Sequence, residues 1–252
     1  MKNWKHIAAK STLGLLLTGA LVSAYLLGSS KRRQVCCNKL EITIVDSIHT
    51  PFVSAENIRH YLSTDYGKTI GVPINDLDLY KLEKALDSKD PILKSDAFVT
   101  SKGTLNIVVV QRKPIIEFKT PNHGFYCDKD GFQLPLKPDS KVDAMLIEGD
   151  IPQESQWMEN TIKLVNHINS SIWKDKISRI NCNEKGELVL FPKSGREQFI
   201  FGHPEDIERK FEKMQVYYER IVADKGEGAY NVVDLRFKKQ IICKDTEQKK
   251  KK

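Results

Sequence analysis

The sequence predicts an α+β chain in three parts: an N-terminal transmembrane helix, a β-α-α-β-β module, and a mixed β-sheet domain with flanking helices. Three observations predict it. Ser11–Ser30 carries no charge and is bounded by Lys10 and by Lys31-Arg32-Arg33. Period-two strands near residues 40 and 105 bracket two stretches with helical spacing. From residue 116 onward, short apolar runs alternate with turn signals and two amphipathic stripes.

The uncharged run is twenty residues long, which as a helix reaches about 30 Å, one hydrocarbon thickness. Its rival is a cleaved signal peptide, with Lys2, Lys5 and Lys10 as the basic region and Val22-Ser23-Ala24 as the cleavage site. The apolar run continues through Tyr25-Leu26-Leu27 into a basic stop, which favours retention. Three Lys precede it and three Lys/Arg follow it, so charge does not decide the sidedness.

Leu40-Glu41-Ile42-Thr43-Ile44-Val45 alternates like a half-buried strand. Ser54 caps a helix with Ile58, Tyr61 and Leu62 on one face. Asp76 or Asp78 opens a second helix carrying Leu79, Leu82 and Leu86, and Pro91 stops it. Ala97-Phe98-Val99 and Leu105–Val110 form a hairpin turning at Lys102-Gly103. Arg112-Lys113-Pro114 closes the last strand, because proline cannot continue a central ladder.

In the second module, Asp130-Gly131 turns a hairpin around Phe125–Phe132. A calcium loop there would need acceptors further along, and the sequence lacks them. Trp157, Thr161, Leu164 and Ile168 stripe one helix, followed by strands Ile177–Cys182, Leu188–Phe191 and Gln198–Gly202. A second helix opens at Pro204, with Glu205 and Asp206 at its positive end. Its stripe is Ile207, Phe211, Met214, Tyr218 and Ile221. Tyr230–Phe237 and Gln240–Cys243 close the chain.

The net charge of +7 is unevenly placed. Six Lys/Arg lie in residues 1–33 and four more form Lys249–Lys252, leaving 30 basic against 33 acidic residues between, about −3. That body offers no surface for nucleic acid. The cysteines Cys36, Cys37, Cys127, Cys182 and Cys243 show no Cys-x-x-Cys spacing and no zinc pattern with histidine. Single bridges stay open, Cys182–Cys243 first among them. The six histidines are scattered, and no His-Glu-x-x-His, Gly-x-Ser-x-Gly or phosphate loop occurs. The expectation is a protein without enzymatic activity, metal or cofactor.

The first module resembles a POTRA domain of the FtsQ/DivIB family of bacterial cell-division proteins. The resemblance lies in Asp78…Leu82…Leu86, in Pro91–Val99 and in Thr104–Pro114 with its Arg-x-Pro ending. Gln111 stands where the family usually has Glu, and Ser47 where a Gly often follows the first strand. Further on, Asp128-x-x-Gly131 and the series Gly202, Lys210 and Val233-Asp234-Leu235-Arg236-Phe237 are similar to the family's C-terminal domain.

The resemblance implies a layout of cytoplasmic N-terminus (1–10), transmembrane helix (11–30), POTRA domain (38–115), β domain (116–243) and disordered basic tail (244–252). It implies the bacterial inner membrane at midcell, with a periplasmic body that docks FtsB/FtsL-like bitopic proteins and the septal synthase. A last strand with an open edge could receive such a partner. Carried over by position, Arg236, Phe237 and Lys239 are contact residues, and Val233, Leu235 and Ile241 of the terminal strands are candidates beside them. Val233, Leu235 and Phe237 share one face; Val232, Asp234 and Arg236 share the other, where Asp234 and Arg236 can equally form a structural ion pair. The alternatives are a POTRA-containing envelope assembly factor, for which no barrel-like series follows residue 243, and a secreted hydrolase.

Overall fold

The computed structural model describes residues 16–25, 35–45, 52–121, 123–136, 142–226 and 228–245. The basic N-terminus, both ends of the expected span, Ser47 and the tail beyond Asp245 lie outside the described residues. Within that span, residues 16–25 are helical and reach about 15 Å. Among the described residues no helix is long and apolar enough to cross a membrane. From residue 35 on, two compact units divide at Arg112/Lys113.

The first unit runs β1 (Lys39–Val45), α1 (Ala55–Tyr61), α2 (Leu79–Asp87), β2 (Ile92–Val99) and β3 (Thr104–Gln111). The sheet order is β1-β3-β2, with β1 parallel and β2 antiparallel to the central strand. Alternation explains the centre: Leu105, Ile107 and Val109 of β3 are fully buried against Ile58, Leu62, Leu82 and Leu86. The hairpin turns at Gly103, whose φ of 85° and missing Cβ let the Cys36 carbonyl approach. Asp78, not Asp76, caps α2, accepting the Lys81 N–H at 2.9 Å. Asp76 instead ends a short 3-10 turn. At α1, Ser54 Oγ accepts the Asn57 N–H at 3.1 Å and Asn57 Oδ1 accepts the Ser54 N–H at 3.0 Å. Ser54→Ala removes one half of this box and should lower the unfolding free energy by about 1 kcal/mol, read by chemical denaturation. Gln111 is buried, and its Oε1 accepts the Phe52 N–H at 3.0 Å. A neutral amide serves that buried donor without burying a charge.

The second unit is built on a nine-stranded sheet. Its strands are β4 (Pro114–Lys119), β5 (Gly124–Asp128), β6 (Gln133–Pro135), β7 (Met145–Gly149), β8 (Ile177–Cys182), β9 (Leu188–Pro192), β10 (Gln198–Gly202), β11 (Val232–Asp234) and β12 (Ile242–Lys244). They lie in the order β12-β11-β10-β9-β8-β7-β4-β5-β6. Two central strands, β4 and β7, have no counterpart in the sequence-based expectation. Both are short; β4 begins at a proline that sits buried, as proline can at a strand's first residue. Arg112 falls between β3 and β4, its N–H bonded to the Pro91 carbonyl at 3.0 Å.

Helices α3 (Ser155–Asn169) and α4 (Ile207–Val216) meet where His167 stacks on Phe211 at 4.8 Å. Trp157, Thr161, Leu164 and Ile168 of α3 are all buried. The start of α4 departs from expectation: Pro204 lies in the preceding turn, and Asp206 caps the helix with a left-handed φ of 53°. Its stripe also shifts. A π-helical turn at Tyr217–Val222 widens the helix, so consecutive Tyr217 and Tyr218 both reach Phe199, at 5.5 and 5.8 Å. Tyr217, absent from the expected stripe, is fully buried, while Tyr218 and Ile221 are only partly so.

At the β5–β6 turn, the Asp128 carboxylate accepts the N–H groups of Asp130 and Phe132 at 2.9 and 2.8 Å, and Gly131 supplies a φ of 86°. The five thiols are free. Cys182 of β8 and Cys243 of β12 lie four strand steps apart in the sheet order, about 19 Å, so they do not form the bridge left open by the sequence. Burial pushes the thiols of Cys127 and Cys182 up to about 12, which keeps them protonated and unreactive at neutral pH.

Candidate functional site

The C-terminal run Tyr230–Phe237 reads as one strand in sequence but breaks early. β11 ends at Asp234, because the Asp234 carboxylate accepts the Arg236 N–H at 3.0 Å and curls the backbone out of the ladder. Leu235 makes one further bond, to the Ile200 carbonyl at 3.0 Å. Arg236, Phe237 and Lys239 therefore sit in the loop joining β11 to β12.

This loop is fastened on two sides. On one, Arg236 Nε and Nη2 reach Asp234 at 3.0 and 2.8 Å, and Nη1 reaches Glu187 of the β8–β9 connection at 3.0 Å. Gly202 makes room, since a Cβ there would lie 2.8 Å from Arg236 Cγ. Asp234, expected on an outward face, is 4% exposed. Burial opposes its charge, yet the hydrogen bonds from Arg236 hold its carboxyl below the usual range. The same guanidinium, by hydrogen bond, lowers the Glu187 carboxyl, and the two acids raise Arg236.

On the other side, α4 supplies cations to the loop's carbonyls. Lys213 Nζ donates to the Leu235 carbonyl at 2.8 Å and also to that of Phe237. Arg209 Nη1 donates to the Lys238 carbonyl at 3.3 Å. One turn away, buried Lys210 donates to the His203 carbonyl at 2.7 Å and lies over the Phe201 ring at 4.5 Å. Burial brings the Lys210 ammonium down to about 8. It braces the β10–α4 turn and does not touch the loop.

The sequence-derived candidates thus separate into groups. Val233 and Leu235 are fully buried in the core, and Ile241 is partly packed against it, so the first two offer a partner no side-chain surface. Arg236 is half-exposed but already paired. Phe237 is 43% exposed and Lys239 is exposed. Arg112 follows β3 in the first unit, and Pro114 opens β4, which is separated from β11 and β12 in the sheet order. Sequence reasoning missed Glu187, Arg209 and Lys213. Glu187 precedes Arg236 by 49 residues and carries no local signal. Arg209 and Lys213 are an i, i+4 basic pair, a pattern that marks one helix face but not what it meets.

β12 has a neighbour on one side only, among the described residues. Its other side is a short open rim of main-chain donors and acceptors, and the loop that leads into it carries Phe237 and Lys239. Among the described residues no group of His, Cys, Asp or Glu side chains is placed to hold a metal ion. The arrangement is built to hold a backbone in shape and to leave an edge and an aromatic ring exposed.

Comparison with known proteins agrees with this organisation. Residues 35–110 match a POTRA-like domain. Residues 113–244, more than half of the chain, match the family described as FtsQ/DivIB, C-terminal related. No curated protein matches the chain. The edge-stranded sheet, the module that precedes it and these matches together place the chain in the FtsQ/DivIB family of cell-division scaffolds.

Proposed function

We propose that this chain is a single-pass scaffold of the bacterial division machinery that docks FtsB/FtsL-like membrane proteins at β12. By doing so it helps regulate septal peptidoglycan synthesis, and it performs no chemistry. The observation that carries this reading is the open edge of β12, entered from a loop with an exposed aromatic side chain. An added partner strand gains main-chain hydrogen bonds along Ile242–Lys244, and Phe237 supplies an apolar anchor. Lys238, Lys239 and Lys244 give this corner a positive rim, Arg236 being offset by Asp234 and Glu187, and that rim suits a strand carrying Asp or Glu.

Residues 11–30 anchor the chain in the inner membrane, with the N-terminus in the cytoplasm and the body in the periplasm. A fluorescent protein fused to Met1 tests the placement in a dividing host. A bright midcell band is the expected result. An even outline moves the function to envelope assembly, and a cleaved fusion turns the anchor into a signal peptide.

A further inference from the structure

We infer that Lys213, supported by Arg209, is a positioning residue that shapes the docking loop before any partner arrives. The inference rests on the docking reading above. Three carbonyls of one short loop, those of Leu235, Phe237 and Lys238, receive donors from a single face of α4. Arg209 and Lys213 are one turn apart on that face. Among the described residues Lys213 forms no ion pair with a carboxylate; its ammonium donates to the two carbonyls. Its ammonium is partly desolvated, and burial lowers its pKa. Moving the loop would leave a half-buried cation without acceptors, so the loop's shape and the cation's solvation are coupled.

The opposite side of the loop is held by the pairs of Arg236 with Asp234 and Glu187. Between the two fastenings the backbone is fixed, yet the Phe237 ring projects to solvent. Here the backbone is tied down and the aromatic is left outside, which is the arrangement of a preorganised anchor. Fixing the loop in the unbound chain lowers the ordering cost at the moment of docking. Lys213 thus acts through the backbone of its neighbours and not by touching the partner.

The test uses the full chain in lipid nanodiscs, with two readouts on Lys213→Met. Trypsin nicking after Arg236, Lys238 and Lys239 reports loop release without any partner. Affinity for a purified periplasmic segment of an FtsB-like protein reports docking. The expected result is about tenfold faster nicking confined to this loop and about tenfold weaker affinity, both restored by Lys213→Arg. Unchanged nicking overturns the inference, as does nicking that rises equally at Lys185 and Lys193, which would mark general loosening. If the wild-type chain fails to bind the segment, the docking reading falls, while the nicking result still decides whether Lys213 shapes the loop. Should Lys213→Met not fold, Arg209→Gln at the more exposed end of the same clamp carries the same two readouts.

Discussion

Phe237→Glu should weaken binding of an FtsB-like periplasmic segment about 100-fold or more and leave the chain folded. The ring is 43% exposed and sits in a loop whose backbone is held from both sides, so truncating it disturbs no core contact. Exposed aromatics on rigid backbone are the residues that dominate docking surfaces, with losses of about 2 kcal/mol or more on removal. The glutamate adds the desolvation of a carboxylate in an apolar contact, and it faces a partner strand argued above to be acidic. Calorimetric titration of wild type and variant measures the first effect, and the denaturation midpoint measures the second. An affinity that does not move would remove Phe237 from the docking surface; a midpoint that collapses would make it a structural residue.

Arg236→Met should be the most destabilising change in the site, at about 3 kcal/mol in denaturant unfolding at neutral pH. The variant keeps the side-chain stem over Gly202 but leaves Asp234, 4% exposed, as a buried charge without its main partner. The pH dependence separates this cause from simple loss of packing. In the wild type the folded carboxyls of Asp234 and Glu187 titrate below their ordinary values of 3.8 and 4.5. They therefore stabilise the fold above those values, and the contribution is lost as pH falls below about 4. In the variant only the backbone N–H of residue 236 and the Lys244 charge still oppose burial at Asp234, so its carboxyl moves upward and acid relieves part of the penalty. The gap between the two proteins should be widest near pH 7 and should close towards pH 3. A gap independent of pH would mean that the stem of Arg236, and not its charge, supports the site.

Much of the fold was readable along the chain because its elements carry their own periodicity. The alternation of β1 and β3, the stripe of α3 and the glycine turns at Gly103 and Gly131 each follow from local sterics and burial. Where an element is short, that signal fails. β4 and β7 lie inside the nine-stranded sheet but do not stand out in the sequence, since five or six residues, apolar at adjacent Ile115 and Ile116 in one and buried only at Ile147 in the other, are too short to show a period. The shifted register at Tyr217 escaped for a different reason: a π turn adds a residue to the helical repeat, which a fixed period of 3.6 cannot anticipate.

The proposed docking site divides along the same line. Sequence and family resemblance could nominate contact candidates, and of these the structure leaves Phe237 and Lys239 exposed. They could not tell whether each is available. Val233 and Leu235 go to the core, Arg236 is claimed by Asp234 and by the distant Glu187, and the loop itself is set by carbonyls bonded to Arg209 and Lys213. By itself the sequence determined the order of elements, the placement of charge at the two ends and the lack of a recognised catalytic motif, because these depend on neighbours in the chain. The tertiary structure alone decided the open edge of β12, the burial of Asp234 and the pinning of the loop, because these depend on residues that meet only after the sheet has assembled.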